Sequence, residues 1–160
     1  MTINTLIANY QDDSHKADIE FLLDSYARDE MGGGTPLDEK IKGKVVHELS
    51  KLKHAFSVLA YSDGKAVGLA NCFESFSTFA CKPLINIHDL VVVENYRGNG
   101  ISHIIMNKIE EIAISKGCCK ITLEVLSNNE VAKSSYLKFG FSGYCLKPES
   151  GSALFWQKLI

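Results

Sequence analysis

The stretch that decides the fold is Ile85–Gly117, INIHDLVVVENYRGNGISHIIMNKIEEIAISKG, in which a strand, a glycine-containing turn and a long helix follow one another. The segment Ile85–Val93 is rich in β-branched residues, which predicts a largely buried strand. After it, Gly98 and Gly100 give the backbone freedom at positive φ and let it approach a ligand closely. Apolar residues at helical spacing then predict a helix over Ile101–Gly117. A strand that leads through such a turn into a helix N-terminus is suited to holding an anion.

The composition is that of an ordinary globular protein. The 160 residues fit one domain, residues 1–160, and the 46% of apolar residues suffice for a sizeable core. A net charge of −2 provides no basic stripe, so we expect no nucleic-acid partner. No apolar run is long enough to cross a bilayer, and the N-terminus lacks the charged and apolar regions of a signal peptide. We therefore expect a cytoplasmic protein with no membrane partner.

The five cysteines are odd in number and show no C-x-x-C spacing. Neither a disulfide framework nor a zinc site is indicated by this pattern. We expect reduced and mostly buried thiols.

Ahead of the opening stretch, the pattern predicts a strand, two helices and a β-hairpin. The first helix has N-cap residues at Asp12-Asp13-Ser14, and the second is expected to open at Thr35-Pro36, with a capping hydroxyl and a proline at its first position. Between the helices, Gly32, Gly33 and Gly34 indicate a flexible joint. A Ser62-Asp63-Gly64 turn predicts the hairpin, and a less regular connection is expected over Phe73–Phe79. The predicted strands are Thr2–Ala8, Ala55–Tyr61 and Lys65–Phe73.

After Gly117 the pattern predicts another strand and helix, followed by two closing strands. The strand is expected at Lys120–Leu126, and Asn129 is expected to cap a helix that ends at Gly140. The closing strands are expected at Phe141–Leu146 and Ala153–Lys158. This order of elements describes an α/β protein with a mixed sheet.

The motifs and their order resemble the GNAT superfamily of N-acetyltransferases over nearly the whole chain. The signature R/Q-x-x-G-x-G/A of that family stands here as Arg97-Gly98-Asn99-Gly100-Ile101-Ser102, in which Ser102 replaces the usual Gly or Ala. Leu90-Val91-Val92 precedes it at the family spacing, and Asn129-x-x-Ala132-x-x-x-Tyr136-x-x-x-Gly140-Phe141 follows it. The resemblance implies the GNAT fold: a central, mostly antiparallel mixed sheet with a splayed parallel strand pair, flanked by about four helices.

The resemblance also implies acetyl-CoA as the cofactor and coenzyme A as the product. Its pyrophosphate is expected on the main chain of the turn, which consists of Arg97, Gly98, Asn99, Gly100, Ile101, Ser102 and His103. The main chain of Leu90, Val91 and Val92 is expected to hold the pantetheine arm like an added strand and to polarise the thioester carbonyl. Asn129 matches the family asparagine that contacts the cofactor arm, and it also suits a helix N-cap.

Direct transfer to an amine requires an acid for the departing thiolate and a base for the ammonium. Tyr136 matches the general acid of the family. Glu124 matches the strand glutamate that the ribosomal-protein N-terminal acetyltransferases use as base. Asp89 and His88 are alternative bases that are expected to point to opposite faces of their strand, and water alone is a further alternative.

The expected function is therefore acetyl transfer from acetyl-CoA to a primary amine of a small molecule or a peptide. Acidic residues at Asp29, Glu30 and Glu74 suit a small cationic amine. The alternative is a non-catalytic domain that binds acetyl-CoA as a sensor or regulatory module. The sequence leaves the oligomeric state open; the resemblance adds a homodimer as one candidate, since homodimers are common in the superfamily.

Overall fold

Five strands and four helices make up the computed structural model, which describes all of residues 1–160. In chain order they are β1 (Ile3–Ile7), α1 (Asp13–Arg28), α2 (Glu39–Ser50), β2 (Ala55–Ser62), β3 (Lys65–Ser77), β4 (Lys82–Val92), α3 (Ile101–Ser115), β5 (Ile121–Leu123) and α4 (Glu130–Phe139). None of the helices combines the length and the apolarity needed to cross a membrane.

The strands form one sheet in the order β1-β2-β3-β4-β5. The first three pairings are antiparallel, and β4 with β5 is parallel. The parallel pairing joins only Ile85–Ile87 to Ile121–Leu123, while β4 continues to Val92 without a partner on that side. The expected mixed, mostly antiparallel sheet with a splayed parallel pair is thereby confirmed.

The two faces of the sheet pack against different helices. On the α1/α2 face, Leu59, Leu69 and Val91 lie side by side on three neighbouring strands and pack against buried residues of α1 and α2. On the α3 face, Gly68 lies so close to α3 that a methyl group on it would stand 2.8 Å from Cδ1 of Ile105. Burial of apolar side chains on both faces supplies the main stabilisation of such a sheet.

The first helix begins as expected, and the second begins later than expected. Asp12 caps α1 by accepting hydrogen bonds from the N–H groups of Ser14 and His15. The cap of α2 is Asp38 rather than Thr35, because the N–H of Thr35 donates to the carbonyl of Ala27 at 3.0 Å and so belongs to the end of α1.

Two strand boundaries also differ from the sequence expectation. The connection expected over Phe73–Phe79 is largely strand, since β3 runs to Ser77 and pairs there with the start of β4. The strand expected at Lys120–Leu126 is limited to Ile121–Leu123.

The chain divides into two compact units, Met1–Leu123 and Glu124–Ile160. The first unit contains the whole sheet with α1, α2 and α3. The second contains α4, which begins after Asn129 and ends at Gly140 as expected. The prediction of two closing strands in this unit is wrong, because neither segment forms a strand: there is one isolated bridge between Cys145 and Ser152, with the N–H of Ala153 donating to the carbonyl of Tyr144 at 2.9 Å. The single domain over residues 1–160 stays a prediction.

Candidate functional site

The turn before α3 exposes its main chain. Gly98 and Gly100 have φ values of 78° and 75°, in the left-handed region that favours glycine. A Cβ atom at either position would meet no protein atom within 4 Å, so the space beside both glycines is open. The first hydrogen bond within α3 runs from the N–H of Ile104 to the carbonyl of Gly100 at 3.1 Å. Gly100 is the N-cap of α3 and provides no capping side chain. The N-terminus of a helix carries the positive end of the helix dipole.

Side chains of the turn fix its conformation. Arg97 donates from Nε to the carbonyl of Val92 at 3.0 Å and from Nη2 to Oδ2 of Asp29 at 2.7 Å. Asn99 donates from Nδ2 to the carbonyls of Tyr96 and Arg97 at 3.1 and 3.2 Å. The turn is thus tied to the end of β4 and to the end of α1.

Asp29 shares its carboxylate between this turn and its own loop. Its Oδ1 accepts a hydrogen bond from the N–H of Met31 at 2.8 Å, and its Oδ2 accepts the bond from Arg97. The Met31 N–H and then the Arg97 guanidinium lower the pKa of Asp29. Asp29 is therefore a paired anion rather than a free site for a cationic acceptor.

The end of β4 has a backbone edge without a strand partner, on which the carbonyl of Val92 accepts the hydrogen bond from Arg97. The N–H of Val93 donates to the carbonyl of Val67 at 3.0 Å and so points towards β3. Main-chain groups alternate in direction along a strand, so those of Leu90 and Val92 point to the opposite edge. On that edge the parallel pairing with β5 has already ended at Ile87. A ligand is able to add to this edge as a further strand does.

A β-bulge places two polar residues of β4 on one face. Asn71 pairs with Asp89, but the next residue of β3 pairs with Ile87, so His88 is an extra residue in β4. His88 packs edge-on against the ring of Phe73 at 5.5 Å, and Asp89 accepts a hydrogen bond from Asn71 at 2.9 Å. Because Asn71 and Phe73 lie two residues apart on β3, both contacts lie on the α1/α2 face. The expectation that His88 and Asp89 point to opposite faces is wrong, because the bulge breaks the alternation.

Several polar residues beside Asp89 were not anticipated from the sequence. Asn71 is 3% exposed and Ser57 is fully buried, and Tyr26 on α1 is partly buried. Burial raises the pKa of Tyr26, and the negative charges of Asp89 and Asp29 raise it further. The sequence did contain a signal for Ser57 and Asn71: a single hydroxyl or amide inside an otherwise apolar strand is unusual unless it forms a hydrogen bond.

Glu74, the third acidic residue that was expected near the acceptor, lies on the opposite face of the sheet from Asp89. Glu74 belongs to the α3 face and forms an ion pair with Lys116 at 2.6 Å. It does not share the face of Asp89.

All five cysteines are free thiols, but most of them are not buried. Only Cys72 is buried, which raises the pKa of its thiol. Cys118 is half-buried, and the other three are exposed, so the expectation of mostly buried thiols is wrong.

The second unit contains the remaining sequence-predicted residues. Glu124 is exposed and directly follows β5. Asn129 caps α4 by accepting a hydrogen bond from the N–H of Ala132 at 3.1 Å. Tyr136 lies on α4, with its ring 6.0 Å from that of Phe141 at an angle of 65°.

Comparison with known proteins agrees with this architecture. The sequence model of the acetyltransferase (GNAT) family matches residues 19–141. Thialysine N-epsilon-acetyltransferase of Bos taurus is 36% identical over 74 residues, which are 46% of this chain and 43% of that protein. The chain thus spans less than half the length of this curated relative.

Two solved structures share the fold. An integron cassette protein from the mobile metagenome of V. cholerae has a TM-score of 0.78 at 21% identity, covering 98% of this chain and 94% of its own. The aminoglycoside N-acetyltransferase AAC(6')-Iy, solved in complex with CoA, has a TM-score of 0.73 at 18% identity, covering 98% and 95%. With the match to the family model over most of its length, the chain belongs to the acetyltransferase (GNAT) family.

Proposed function

We propose that the protein is an acetyl-CoA-dependent N-acetyltransferase that transfers the acetyl group directly to a primary amine. The match to the acetyltransferase family over residues 19–141 carries this proposal. The open glycine turn before α3 supports it, because both glycines leave room for a ligand at a helix N-terminus.

The donor is proposed to bind along the turn and the edge of β4 that lacks a strand partner. Acetyl-CoA, when bound, supplies the thioester from which the acetyl group is transferred. The main chain from Arg97 to His103 would hold its pyrophosphate. The main chain of Leu90–Val92 would hold its pantetheine arm through the outward N–H and carbonyl of Leu90 and the outward N–H of Val92. Asn129 is proposed to contact the same arm. The structural relative that was solved with CoA supports a CoA ligand.

Two side chains are proposed to move protons. Tyr136 would protonate the departing thiolate, because a phenol with a pKa of about 10 donates to a thiolate of pKa about 8.5 when the site favours it. Glu124 would accept the proton of the ammonium, and its exposed position after β5 leaves it open to solvent. Asp89, His88 and water remain the alternative bases.

The acceptor is proposed to be a small primary amine, with a peptide as the alternative. The relative from Bos taurus supports the small amine, since its name designates the side-chain amine of thialysine. Asp89, a half-buried carboxylate on the α1/α2 face, offers a place for an ammonium group. A cytoplasmic location and a homodimer stay predictions from the sequence.

Transfer is tested with acetyl-CoA and a panel of amines, with thiol release as the readout. The panel contains thialysine, lysine, 1,4-diaminobutane, an aminoglycoside and a peptide with a free N-terminus. We expect thiol release that depends on at least one small amine, and calorimetric binding of CoA without any amine. Tight binding of CoA with no amine-dependent release would instead favour the non-catalytic alternative.

A further inference from the structure

The loop after α1 is wound around Asp29. The main-chain oxygen of Asp29 accepts hydrogen bonds from the N–H groups of Gly32 at 2.8 Å and Gly34 at 2.9 Å. Its own N–H donates to the carbonyl of Tyr26 at 3.0 Å, and Oδ1 of its carboxylate accepts from the N–H of Met31 at 2.8 Å. These local hydrogen bonds fix the position of Asp29 and leave the second carboxylate oxygen to a distant partner.

That distant partner is Arg97, at the start of the turn before α3. Oδ2 of Asp29 accepts from Nη2 of Arg97 at 2.7 Å, and Nε of the same guanidinium donates to the carbonyl of Val92 at 3.0 Å. A guanidinium is planar and its donors stand in a fixed fork, so these two bonds define both its plane and its position. One side chain therefore joins the end of β4, the turn and the loop after α1.

The main chain of Arg97 is held as well. Its N–H donates to the carbonyl of Glu94 at 3.1 Å, and its own carbonyl accepts from Nδ2 of Asn99 at 3.2 Å. Gly98 and Gly100 are conformationally permissive and supply no such restraint themselves. The conformation of the glycine turn therefore depends on the residue that precedes it, which is restrained at its main chain and at the end of its side chain.

The orientation of the guanidinium depends on Asp29. The side chain of Arg97 is 47% exposed, and a long exposed side chain has many accessible rotamers. Its bond to the carbonyl of Val92 involves a neutral acceptor, whereas its bond to Asp29 joins two charged groups and is the stronger one. Because Asp29 is itself fixed by its own loop, it selects one orientation of Arg97.

We propose that Asp29 is a positioning residue for the donor, which holds Arg97 on the carbonyl of Val92 and thereby keeps the glycine turn in the conformation that binds the pyrophosphate. This assignment rests on the proposed function and specifies it, since it gives the loop after α1 a part in binding the donor. Asp29 does not touch the donor and acts through Arg97.

Asp29→Asn is the decisive variant, and Asp38→Asn is its matched control. An amide has a single oxygen, so the variant side chain is able to accept from Met31 or from Arg97 but not from both. Asp38 is also a capping carboxylate, which accepts from the N–H of Lys40 at 2.7 Å without contacting Arg97. Arg97→Gln breaks the same pair from the other side and takes the place of Asp29→Asn should that variant fail to fold.

Calorimetric titration of CoA measures donor binding without turnover. We expect Asp29→Asn to weaken CoA binding by about two- to tenfold, because the ligand must then order one additional flexible side chain. Asp38→Asn is expected to bind CoA as the unmodified protein does. In the Arg97→Gln background, Asp29→Asn should cause no further loss, since its connection to the turn is already broken.

Three results of the titration would overturn the proposal. The first is unchanged CoA binding in Asp29→Asn. The second is additive losses in the double variant, which would mean that Asp29 does not act through Arg97. The third is tighter CoA binding in Asp29→Asn, which would mean that the pyrophosphate and Asp29 compete for the guanidinium.

The conformation of the turn is followed by ¹⁵N relaxation without CoA. The order parameters of Gly98, Asn99 and Gly100 are expected to fall in Asp29→Asn and to stay unchanged in Asp38→Asn, because Arg97 is released in the first variant and not in the second. Unchanged order parameters in Asp29→Asn would overturn the positioning role.

The two readouts also separate this assignment from the proposed function. Absence of acetyl transfer together with normal CoA binding would overturn the proposed function and leave the assignment of Asp29 in place. Absence of CoA binding by the unmodified protein would overturn both.

Discussion

The guanidinium of Arg97 and the carboxylate of Asp29 form an ion pair at 2.7 Å that joins the turn before α3 to the loop after α1. These residues lie 68 positions apart in the chain. The same arginine also binds the carbonyl of Val92, and the same aspartate binds the N–H of Met31. The two side chains therefore connect the end of β4 and the turn to the loop after α1.

Replacement Asp29→Asn is expected to destabilise the protein by about 1 kcal/mol at neutral pH, because it removes the charge but keeps a capping oxygen. The pKa of Asp29 is lowered in the folded state, so its contribution is present above the unfolded pKa of about 3.9 and is lost as the pH falls through the folded value. The free energy of unfolding, measured with denaturant from pH 7 to pH 2, should converge for the two proteins at low pH. Asp38→Asn is the control, since Asp38 caps α2 without contacting Arg97. A difference that persists at pH 2 would contradict this account.

Replacement Gly100→Ala is expected to weaken CoA binding by about tenfold or more, equivalent to about 1.4 kcal/mol. The added methyl group would occupy the open side of the turn, where the pyrophosphate is proposed to bind. It also strains the backbone by about 1 kcal/mol at a φ of 75°. Gly64→Ala introduces the same strain, at the same φ and with the same open space, in the β2–β3 hairpin. Calorimetry of both variants separates the two effects, and normal CoA binding by Gly100→Ala would exclude the turn as the phosphate site.

Replacement Gly32→Ala is expected to destabilise the protein by about 3 kcal/mol. A Cβ atom at this position would lie 1.9 Å from the main-chain oxygen of Tyr26, which is unable to move away freely. Gly43→Ala in the interior of α2 meets no atom within 4 Å and is expected to stabilise the protein by up to about 1 kcal/mol. Denaturant midpoints of the two variants should shift in opposite directions. Equal denaturant midpoints for the two variants would mean that the loop around Gly32 moves to make room for the methyl group.

Replacement Tyr136→Phe is expected to lower kcat by about 10²-fold, because the departing thiolate loses its proton donor. The affinity for acetyl-CoA should stay unchanged, since the ring is retained. Steady-state kinetics on the best acceptor of the panel, with calorimetry of the donor, measures both quantities. Tyr144→Phe in the same unit is the control. Unchanged kcat in Tyr136→Phe would remove this residue from the mechanism.

Replacement Glu124→Gln is expected to lower kcat by about 10²-fold in steady-state kinetics, because the neutral amide accepts no proton. The comparison with Asp89→Asn distinguishes a base from a residue that binds the ammonium group: loss of the base lowers kcat, whereas loss of the binding carboxylate raises KM. A kcat for Glu124→Gln equal to that of the unmodified protein would mean that another group accepts the proton.

The sequence predicted the elements whose signals are local. The hairpin turn between β2 and β3, the Asp12 cap of α1 and the Asn129 cap of α4 all depend on residues within a few positions of one another. The start of α2 was predicted wrongly at Thr35, because a hydroxyl before a proline also satisfies the local rule for a helix N-cap. In the structure the N–H of Thr35 donates to the carbonyl of Ala27. Local rules contain no information on such a tertiary contact.

The site was predicted where it depends on a motif and missed where it depends on pairing between strands. Gly98 and Gly100 could be recognised in the sequence because glycine is the residue that positive φ values such as theirs favour. The bulge at His88 follows from the register of β4 against β3, so a period-two pattern placed His88 and Asp89 on opposite faces. The polar residues beside Asp89 could be identified only from the strand pairing in the structure, since Ser57 and Asn71 belong to different strands.

The bulge in β4 also has a consequence for amino-acid substitution. The extra residue gives the strand two adjacent positions, 88 and 89, on the face where an acceptor is proposed to bind, while Ile85 and Ile87 keep their buried places beneath α3. Side chains at these two positions can be exchanged without altering the alternation of the apolar residues. If the acceptor binds on this face as proposed, substitutions at these two positions would change the surface that meets it and leave the buried residues of the core in place.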